Sequence, residues 1–182
     1  MRTVGPTEDR FLLTALAAGD ASALQILYEK YSAAVLHLLL LHTASREDAE
    51  DLMQEAFLAL VERGRGLTKI RNPRAYLLKV ALNKVGSLYG KNRPMEMQLD
   101  EHGLVDHDVV PAEQRLEALG VQEALAQLPL QQCEAIILKV WHQYTFAEMA
   151  EVFDIPINTA ASRYRYGLEK LQRILGDANG RP

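Results

Sequence analysis

The residues with the clearest chemical potential form a basic run between positions 63 and 95. This stretch holds nine lysines and arginines and no aspartate or glutamate, with Tyr76, Asn83 and Tyr89 set among them. Such a combination suits single-stranded nucleic acid, because cations neutralise phosphates while aromatic faces stack on unpaired bases. We therefore predict a single-stranded DNA surface here, against the alternative of an ordinary solvated helix face.

A second set of charged residues lies immediately upstream and has the opposite sign. Five carboxylates crowd one predicted helix, namely Glu47, Asp48, Glu50, Asp51 and Glu55. This helix should repel DNA, so we expect it to face a protein partner that presents basic residues. A plain charged helix face is again the alternative.

A third pattern, near the C-terminus, predicts a helix-turn-helix. Thr145 with Glu148 three residues later is a capping box, which fixes the start of a short helix. We expect Met149, Ala150 and Phe153 to form the buried face of this helix. Residues 154–156, Asp-Ile-Pro, then break it, because the proline pushes the preceding residue out of the helical region.

The helix after this break is the predicted recognition helix. Asn158 or Thr159 is expected to cap it, and its first turns should enter the major groove. Ser162 and Arg163 can there serve bases or phosphates. Few positive charges accompany them, so a plain helical hairpin with solvated arginines is the alternative.

The elements that must position these residues are all predicted to be helices. Asp20, Ser45 and the Asn72-Pro73 pair are helix-start signals, and sustained apolar/polar alternation is absent. Further helices are expected over 112–127 and 131–143. The segment 96–111 is rich in acid and punctuated by glycine and proline, as in a solvated linker. We predict an all-α fold of two small domains, 1–95 and 112–182, joined by the acidic linker 96–111.

Several function classes are disfavoured by what the sequence lacks. One cysteine, Cys133, gives no disulfide framework and no cysteine-cluster zinc site, and the five histidines show no metal-ligand spacing. We find no phosphate-binding glycine loop, nucleophile elbow or zinc-protease helix. The sequence predicts no catalytic residue, no metal and no cofactor. Neither a signal peptide nor a stretch able to insert in a membrane is evident, so a cytoplasmic protein is expected.

With these features in hand, residues 8–175 resemble the extracytoplasmic-function (ECF) sigma factors of bacterial RNA polymerase. The strongest likeness is residues 46–58, REDAEDLMQEAFL, which look like the family's helix that docks on the polymerase β′ coiled coil. Residues 72–83, NPRAYLLKVALN, are similar to the segment that melts and reads the −10 promoter element. Residues 125–129 and the helix-turn-helix resemble the domain that reads the −35 element.

The resemblance implies a site for each partner. The polymerase-binding residues would be Asp48, Glu50, Asp51, Leu52, Gln54, Glu55 and Phe57. The −10 residues would be Arg71, Arg74, Tyr76, Lys79, Asn83, Lys84, Tyr89, Lys91 and Arg93. The −35 residues would be Thr159, Ala160, Ser162, Arg163, Arg165 and Tyr166. The implied partners are core RNA polymerase through its β′ and β subunits, promoter DNA, and an anti-sigma factor.

The sequence departs from the family at several of these positions. Tyr76 stands where tryptophan is usual, Ser87 where aspartate is frequent, and Ala161 and Tyr166 where basic residues are common. We therefore expect the second domain to make fewer phosphate contacts. Two alternative functions follow: a sigma mimic that binds an anti-sigma factor or polymerase without promoter recognition, and a stand-alone operator-binding regulator.

Overall fold

The computed structural model describes residues 6–89 and 120–179, and every regular element in these ranges is helical. This confirms the predicted all-helical fold class. The Cα positions divide the chain into two compact units, Met1–Met95 and Glu96–Pro182. The expected acidic linker, residues 96–111, lies outside the described residues, as do Lys91 and Arg93. No helix in the described ranges is both long enough and apolar enough to cross a bilayer.

The first unit opens with α1, Pro6–Ala17, and α2, Ala21–Leu40. The predicted cap is present, because the Asp20 carboxylate accepts a hydrogen bond from the Ser22 backbone N–H. These bonds from Ser22 also lower the pKa of the Asp20 carboxyl. The two helices are joined by the Asp9 carboxylate, which pairs with Lys30 and accepts a hydrogen bond of 2.6 Å from the Tyr31 hydroxyl. This polar contact fixes α1 against the middle of α2.

Two further helices and a short 3-10 segment complete this unit: α3, Arg46–Glu62, the segment Gly64–Lys69, and α4, Pro73–Tyr89. Ser45 caps α3 as predicted, and Asn72 Oδ1 accepts from the Ala75 N–H at the start of α4. Gly64 has a φ of +53°, a conformation that favours glycine, and it lies just after the end of α3. The four helices enclose an apolar core that includes Leu27, Leu38, Leu60, Leu77 and Val85.

The second unit begins, within the described residues, with a helical stretch over 120–126 that ends before Pro129. Next come α5, Leu130–Ile136, and a π-helical turn, Ile137–Trp141. The predicted helix over 131–143 is therefore divided into α5 and this π-helical turn, and it ends at Trp141 instead of residue 143. Gln143 has a φ of +55°, and the Tyr144 N–H donates to the Leu138 carbonyl, so the chain turns before the helix-turn-helix begins.

The helix-turn-helix consists of α6, Phe146–Phe153, and α7, Ile157–Asn179. The capping box of Thr145 and Glu148 is present in both directions, and Asp154 adopts the left-handed conformation that ends α6. Phe153, which was expected on the buried face of α6, is half-buried, and its neighbour Val152 is buried instead.

The start of α7 also differs from the prediction. The expected caps, Asn158 and Thr159, lie inside its first turn, because the Thr159 and Ala160 N–H groups donate to the Pro156 carbonyl. The helix therefore begins at Ile157. Pro156 thus has two roles. It lies in the break after α6, and its carbonyl is the first hydrogen-bond acceptor of α7.

Gly167 explains how α7 packs against α5. A Cβ atom at this position would lie 3.1 Å from both the Cβ atom and the backbone oxygen of Gln132, and 3.1 Å from Ile136 Cδ1. Such distances are shorter than ordinary van der Waals contacts, so a larger residue would force the two helices apart by a few tenths of an ångström. The recognition helix is thereby fixed on the rest of its unit.

Candidate functional site

The acidic side of α3 lies on the surface of the first unit. Glu47, Asp51 and Glu55 are exposed and follow one another at intervals of four residues, so they share one face of the helix. Gln54 is exposed beside them. Asp48 and Glu50 are half-buried, and the Glu50 carboxylate accepts a hydrogen bond of 2.7 Å from Arg46 Nε.

Two residues expected on this face lie instead in the core. Leu52 and Phe57 are each 5% exposed, and the Phe57 ring packs on that of Tyr28 with centroids 4.9 Å apart. They hold α3 against α2, and their side chains are not available to a partner. The expectation that they contact one directly is therefore corrected.

Two other residues of α3 are exposed that the sequence reasoning missed. Leu58 is 56% exposed and Val61 is 39% exposed. They continue the series Asp51, Gln54 along the helix, because Leu58 is four residues after Gln54 and Val61 is three residues after Leu58. Helical periodicity alone could therefore have indicated both. Together with the carboxylates they make the exposed face of α3 acidic at its start and apolar towards its end.

An open groove of about 350 Å³ runs between α2 and α3, beside this face. It is lined by Tyr28, Ser32, Ala33 and Leu36 from α2 and by Glu50, Met53 and Gln54 from α3. Its lining mixes apolar and polar atoms. No sequence pattern pointed to this groove, because it depends on how two helices pack.

The basic surface lies on α4 and on the segment before it. Tyr76, Lys79 and Asn83 are spaced by three and four residues along α4 and so share a face. Arg71, Lys79 and Asn83 are exposed, whereas Arg74 and Tyr76 are half-buried. Tyr89 is the last residue of α4, and the structure does not describe its side chain.

Lys84, the remaining residue predicted for the −10 surface, is engaged with the acidic helix. Its Nζ atom lies 2.7 Å from Glu55 Oε2. This ion pair joins α4 to α3 and thus connects the two oppositely charged surfaces. Neither charge pattern, read separately, indicated this contact.

Tyr76 has a neighbour that sequence reasoning did not assign to the site. Arg63 Nη1 donates a hydrogen bond of 3.3 Å to the Tyr76 hydroxyl, and the guanidinium carbon lies 5.1 Å from the ring centroid. In the sequence Arg63 is only the first residue of the basic run. Its contact with Tyr76 could not be predicted, because it depends on the turn between α3 and α4.

In the second unit the recognition helix presents most of its predicted contacts. Arg165 and Tyr166 are exposed, with the Arg165 guanidinium 5.0 Å from the Tyr166 ring centroid, and Thr159, Ser162 and Arg163 are half-buried. Ala160 is only 1% exposed, so the expectation that it touches DNA is corrected. Its methyl group packs inside the unit, whereas Ile157, which was not predicted, is 54% exposed at the first position of α7.

The described residues hold no group of three or more histidine, cysteine or carboxylate side chains placed to bind a metal ion. Cys133 is buried, and burial together with the nearby Glu134 raises the pKa of its thiol to about 12.

Comparisons with known proteins identify both units. The family model described as sigma-70 region 2 matches residues 27–94, and that of sigma-70 region 4 matches residues 118–171. The ECF RNA polymerase sigma factor SigM of Mycobacterium tuberculosis is 28% identical over 174 residues, covering 94% of this chain and 86% of SigM. SigW of Bacillus subtilis, also an ECF RNA polymerase sigma factor, is 24% identical, covering 87% of this chain and 92% of SigW.

A solved structure supports the fold. CnrH, in complex with the cytosolic domain of CnrY, aligns with a TM-score of 0.64 and 22% identity, covering 93% of this chain and 97% of CnrH. The two family models occur in the order expected for a sigma factor, and full-length relatives cover nearly the whole chain. The chain therefore belongs to the ECF sigma factors, the initiation factors that direct bacterial RNA polymerase to promoters.

Proposed function

We propose that the two units divide the work of promoter recognition, with the first binding polymerase and the −10 element and the second binding the −35 element. The observation that carries this proposal is the opposite charge of two neighbouring helices. The exposed face of α3 is acidic, while α4 and the segment before it carry only basic charges. One unit can therefore bind a protein and nucleic acid side by side without the two competing.

The polymerase contact is assigned to the exposed face of α3. Asp51, Gln54 and Glu55 form its centre, and the half-buried Asp48 and Glu50 lie beside them. A basic helix of the polymerase β′ subunit is the expected partner, since its charge complements this face. The exposed Leu58 and Val61 extend the contact with apolar area, the kind of surface that stabilises an interface once charge has steered the encounter.

The −10 contact is assigned to the side of α4 that carries Tyr76, Lys79 and Asn83, with Arg71 and Arg74 beside it. In an opened promoter the bases of one strand are unstacked, so an aromatic ring can stack on them and an amide can read a base edge. Lysine and arginine hold the phosphates between them.

The −35 contact is assigned to the first three turns of α7. Thr159, Ser162, Arg163, Arg165 and Tyr166 lie there at positions that a helix in the major groove can use. Ser162 Oγ donates to the Thr159 carbonyl at 3.0 Å, which orients its hydroxyl on the helix surface. Because Ala161 and Tyr166 supply no charge, we expect this contact to depend less on salt than in relatives with lysine or arginine there.

We propose further that an anti-sigma factor regulates this chain, as the complex of CnrH with the cytosolic domain of CnrY suggests by analogy. The groove between α2 and α3 and the adjacent acidic face are its expected binding surface. We place the chain in the cytoplasm, where polymerase acts. It carries out no covalent step itself, since nucleotide addition belongs to polymerase.

Run-off transcription on a library of genomic fragments, with purified core polymerase, tests the proposal. We expect promoter-specific transcripts that are lost with Asp51→Lys and kept with Glu8→Lys, an equal charge reversal at an exposed residue of α1. Polymerase binding without transcripts would favour a sigma mimic. Tight duplex binding without polymerase would favour an operator-binding regulator.

A further inference from the structure

Arg63 and Tyr76 are thirteen residues apart yet form one contact in the first unit. Arg63 follows the end of α3, and Tyr76 lies in the first turn of α4. The hydrogen bond from Arg63 Nη1 to the Tyr76 hydroxyl is 3.3 Å long, while the guanidinium carbon is 5.1 Å from the ring centroid. A guanidinium stacked over the ring centre would lie at about 3.5–4 Å. Arg63 therefore sits nearer the hydroxyl end of Tyr76 than the ring centre and is not itself stacked on the ring.

The Arg63 side chain passes close to Gly66. A Cβ atom at position 66 would approach Arg63 Cγ to 3.0 Å and Nε to 3.5 Å. The first distance is too short for two carbon atoms in ordinary contact. Glycine at this position thus leaves the space across which Arg63 extends towards Tyr76.

Arg63 also keeps binding capacity beyond Tyr76. A guanidinium carries five N–H donors, and the hydrogen bond to the tyrosine hydroxyl uses one. Arg63 is exposed and stands at the start of a run of 33 residues without any carboxylate. Among the described residues no carboxylate forms an ion pair with it. A phosphate can therefore bind to it while the contact with Tyr76 is kept.

We propose that Arg63 and Tyr76 together bind one nucleotide of the opened promoter strand. The base stacks on the Tyr76 ring, and the adjoining phosphate binds the Arg63 guanidinium. Arg63 is also a positioning residue, because it holds the ring in place before DNA arrives and so reduces the side-chain entropy lost on binding. This inference rests on the proposed −10 role of Tyr76.

The test uses the full chain bound to core polymerase and a fork-junction DNA from a promoter found by run-off transcription. The −10 non-template strand is single-stranded and carries 2-aminopurine, placed at each position in turn, so that stacking on a ring is read as quenching. The variants are Tyr76→Leu, Arg63→Gln and Gly66→Ala. Arg65→Gln is the matched control, since it removes an exposed positive charge from the same segment. Circular dichroism confirms that each variant is folded.

We expect Tyr76→Leu to abolish quenching at one position and to weaken binding by about tenfold, the usual scale for one base stacked on an aromatic ring. Arg63→Gln should weaken that same quenching and lower the slope of log affinity against log salt by about one. Gly66→Ala keeps the charge, so it should weaken the quenching and leave the slope unchanged. Arg65→Gln should leave the quenching intact.

Two results would overturn the inference, and they differ in what else they overturn. If Tyr76→Leu reduces quenching while Arg63→Gln behaves like Arg65→Gln, then Arg63 is only one more surface charge and the −10 role of Tyr76 stands. If Tyr76→Leu leaves quenching unchanged at every position, the −10 assignment of Tyr76 fails together with the inference.

Discussion

Lys84 Nζ lies 2.7 Å from Glu55 Oε2, so a residue of the predicted −10 surface is paired with a residue of the predicted polymerase surface. The two side chains are 31% and 56% exposed, so water screens the pair and its contribution to stability should be below about 1 kcal/mol. The ion pair matters more for function than for stability, because it links the two predicted binding surfaces. A substitution at Glu55 changes the surroundings of Lys84 as well as the acidic face, whereas one at Asp51 changes the acidic face alone.

We predict that Asp51→Lys and Glu55→Lys both weaken binding to core polymerase, by about fivefold or more, while thermal stability changes little. The double variant Glu55→Lys with Lys84→Glu restores the ion pair with its charges exchanged. We expect its stability to stay close to that of wild type and its polymerase binding to stay defective. Titration of labelled protein with core polymerase measures this. Recovery of polymerase binding in the double variant would mean that Glu55 acts only through Lys84.

His37 gives the first unit a predictable response to acid. It is half-buried on α2, and this burial, together with the positive charge of Arg46, lowers its pKa from 6.5 to about 4. In the unfolded chain the imidazole takes up a proton near pH 6.5, whereas in the folded chain it stays neutral. The stability linked to His37 is therefore fully present above pH 6.5 and is lost as pH falls towards 4, up to about 3 kcal/mol.

We predict that the His37 ring resonance titrates near pH 4 in the folded protein, as followed by NMR. His37→Leu should remove this source of acid sensitivity, so the difference in unfolding free energy between the variant and wild type should grow in favour of the variant from pH 7 to pH 4. A titration midpoint near 6.5 would contradict the burial argument.

Helix starts could be predicted from the sequence because their signals are local. Asp20, Ser45, Asn72 and Thr145 each accept a hydrogen bond from a backbone N–H two or three residues ahead, and that geometry depends on no other helix. The one cap that failed, at residues 158–159, failed because the carbonyl of Pro156 was already positioned as the first acceptor of α7.

The composition of the surfaces was harder to predict, because it depends on where neighbouring helices lie. Leu52 and Phe57 belong to a motif that marks a binding helix, yet the packing of α2 places both in the core. Ala160 is buried within the predicted recognition helix. The contact of Arg63 with Tyr76 requires the turn between α3 and α4 to be in place. Charge patterns thus predicted which helices carry a charged surface, and tertiary packing decides which of their side chains are exposed.

Gly167→Ala should destabilise the second unit although alanine favours helices. The added methyl group would lie 3.1 Å from the Gln132 backbone oxygen, which cannot move without displacing α5. Overpacking of about 1–3 kcal/mol should exceed the helix-propensity gain of about 1 kcal/mol. Gly176→Ala is the control on the same helix, because nothing lies within 4 Å of its Cβ position, and it should stabilise slightly. Thermal unfolding of both variants tests this. A Gly167→Ala protein at least as stable as wild type would show that α5 and α7 can shift by a few tenths of an ångström at little cost.

Cys133 should be unreactive in the folded protein. With a pKa of about 12, about one thiol in ten thousand is ionised at pH 8, and the thiolate is the reactive form. We expect slow reaction with a thiol reagent in buffer and fast reaction in denaturant. The same raised pKa predicts that the stability linked to Cys133, present below pH 9.0, is lost as pH rises towards 12. Fast labelling of native protein would show that α5 opens to solvent.

The recognition helix gives the last prediction, at Arg163. Its side chain is half-buried in the first turns of α7, where a contact to a base edge contributes about 1–3 kcal/mol and a contact to a phosphate contributes about one unit of salt slope. Arg163→Ala should therefore lower transcription from promoters that need a −35 element by about tenfold or more, and it should leave promoters with a strong −10 element less affected. Arg173→Ala, an exposed arginine further along α7, is the matched control and should change neither class. Because Ala161 and Tyr166 add no charge nearby, Arg163 has few neighbours to compensate for its loss. An unchanged promoter profile would mean that α7 is not used to read the −35 element.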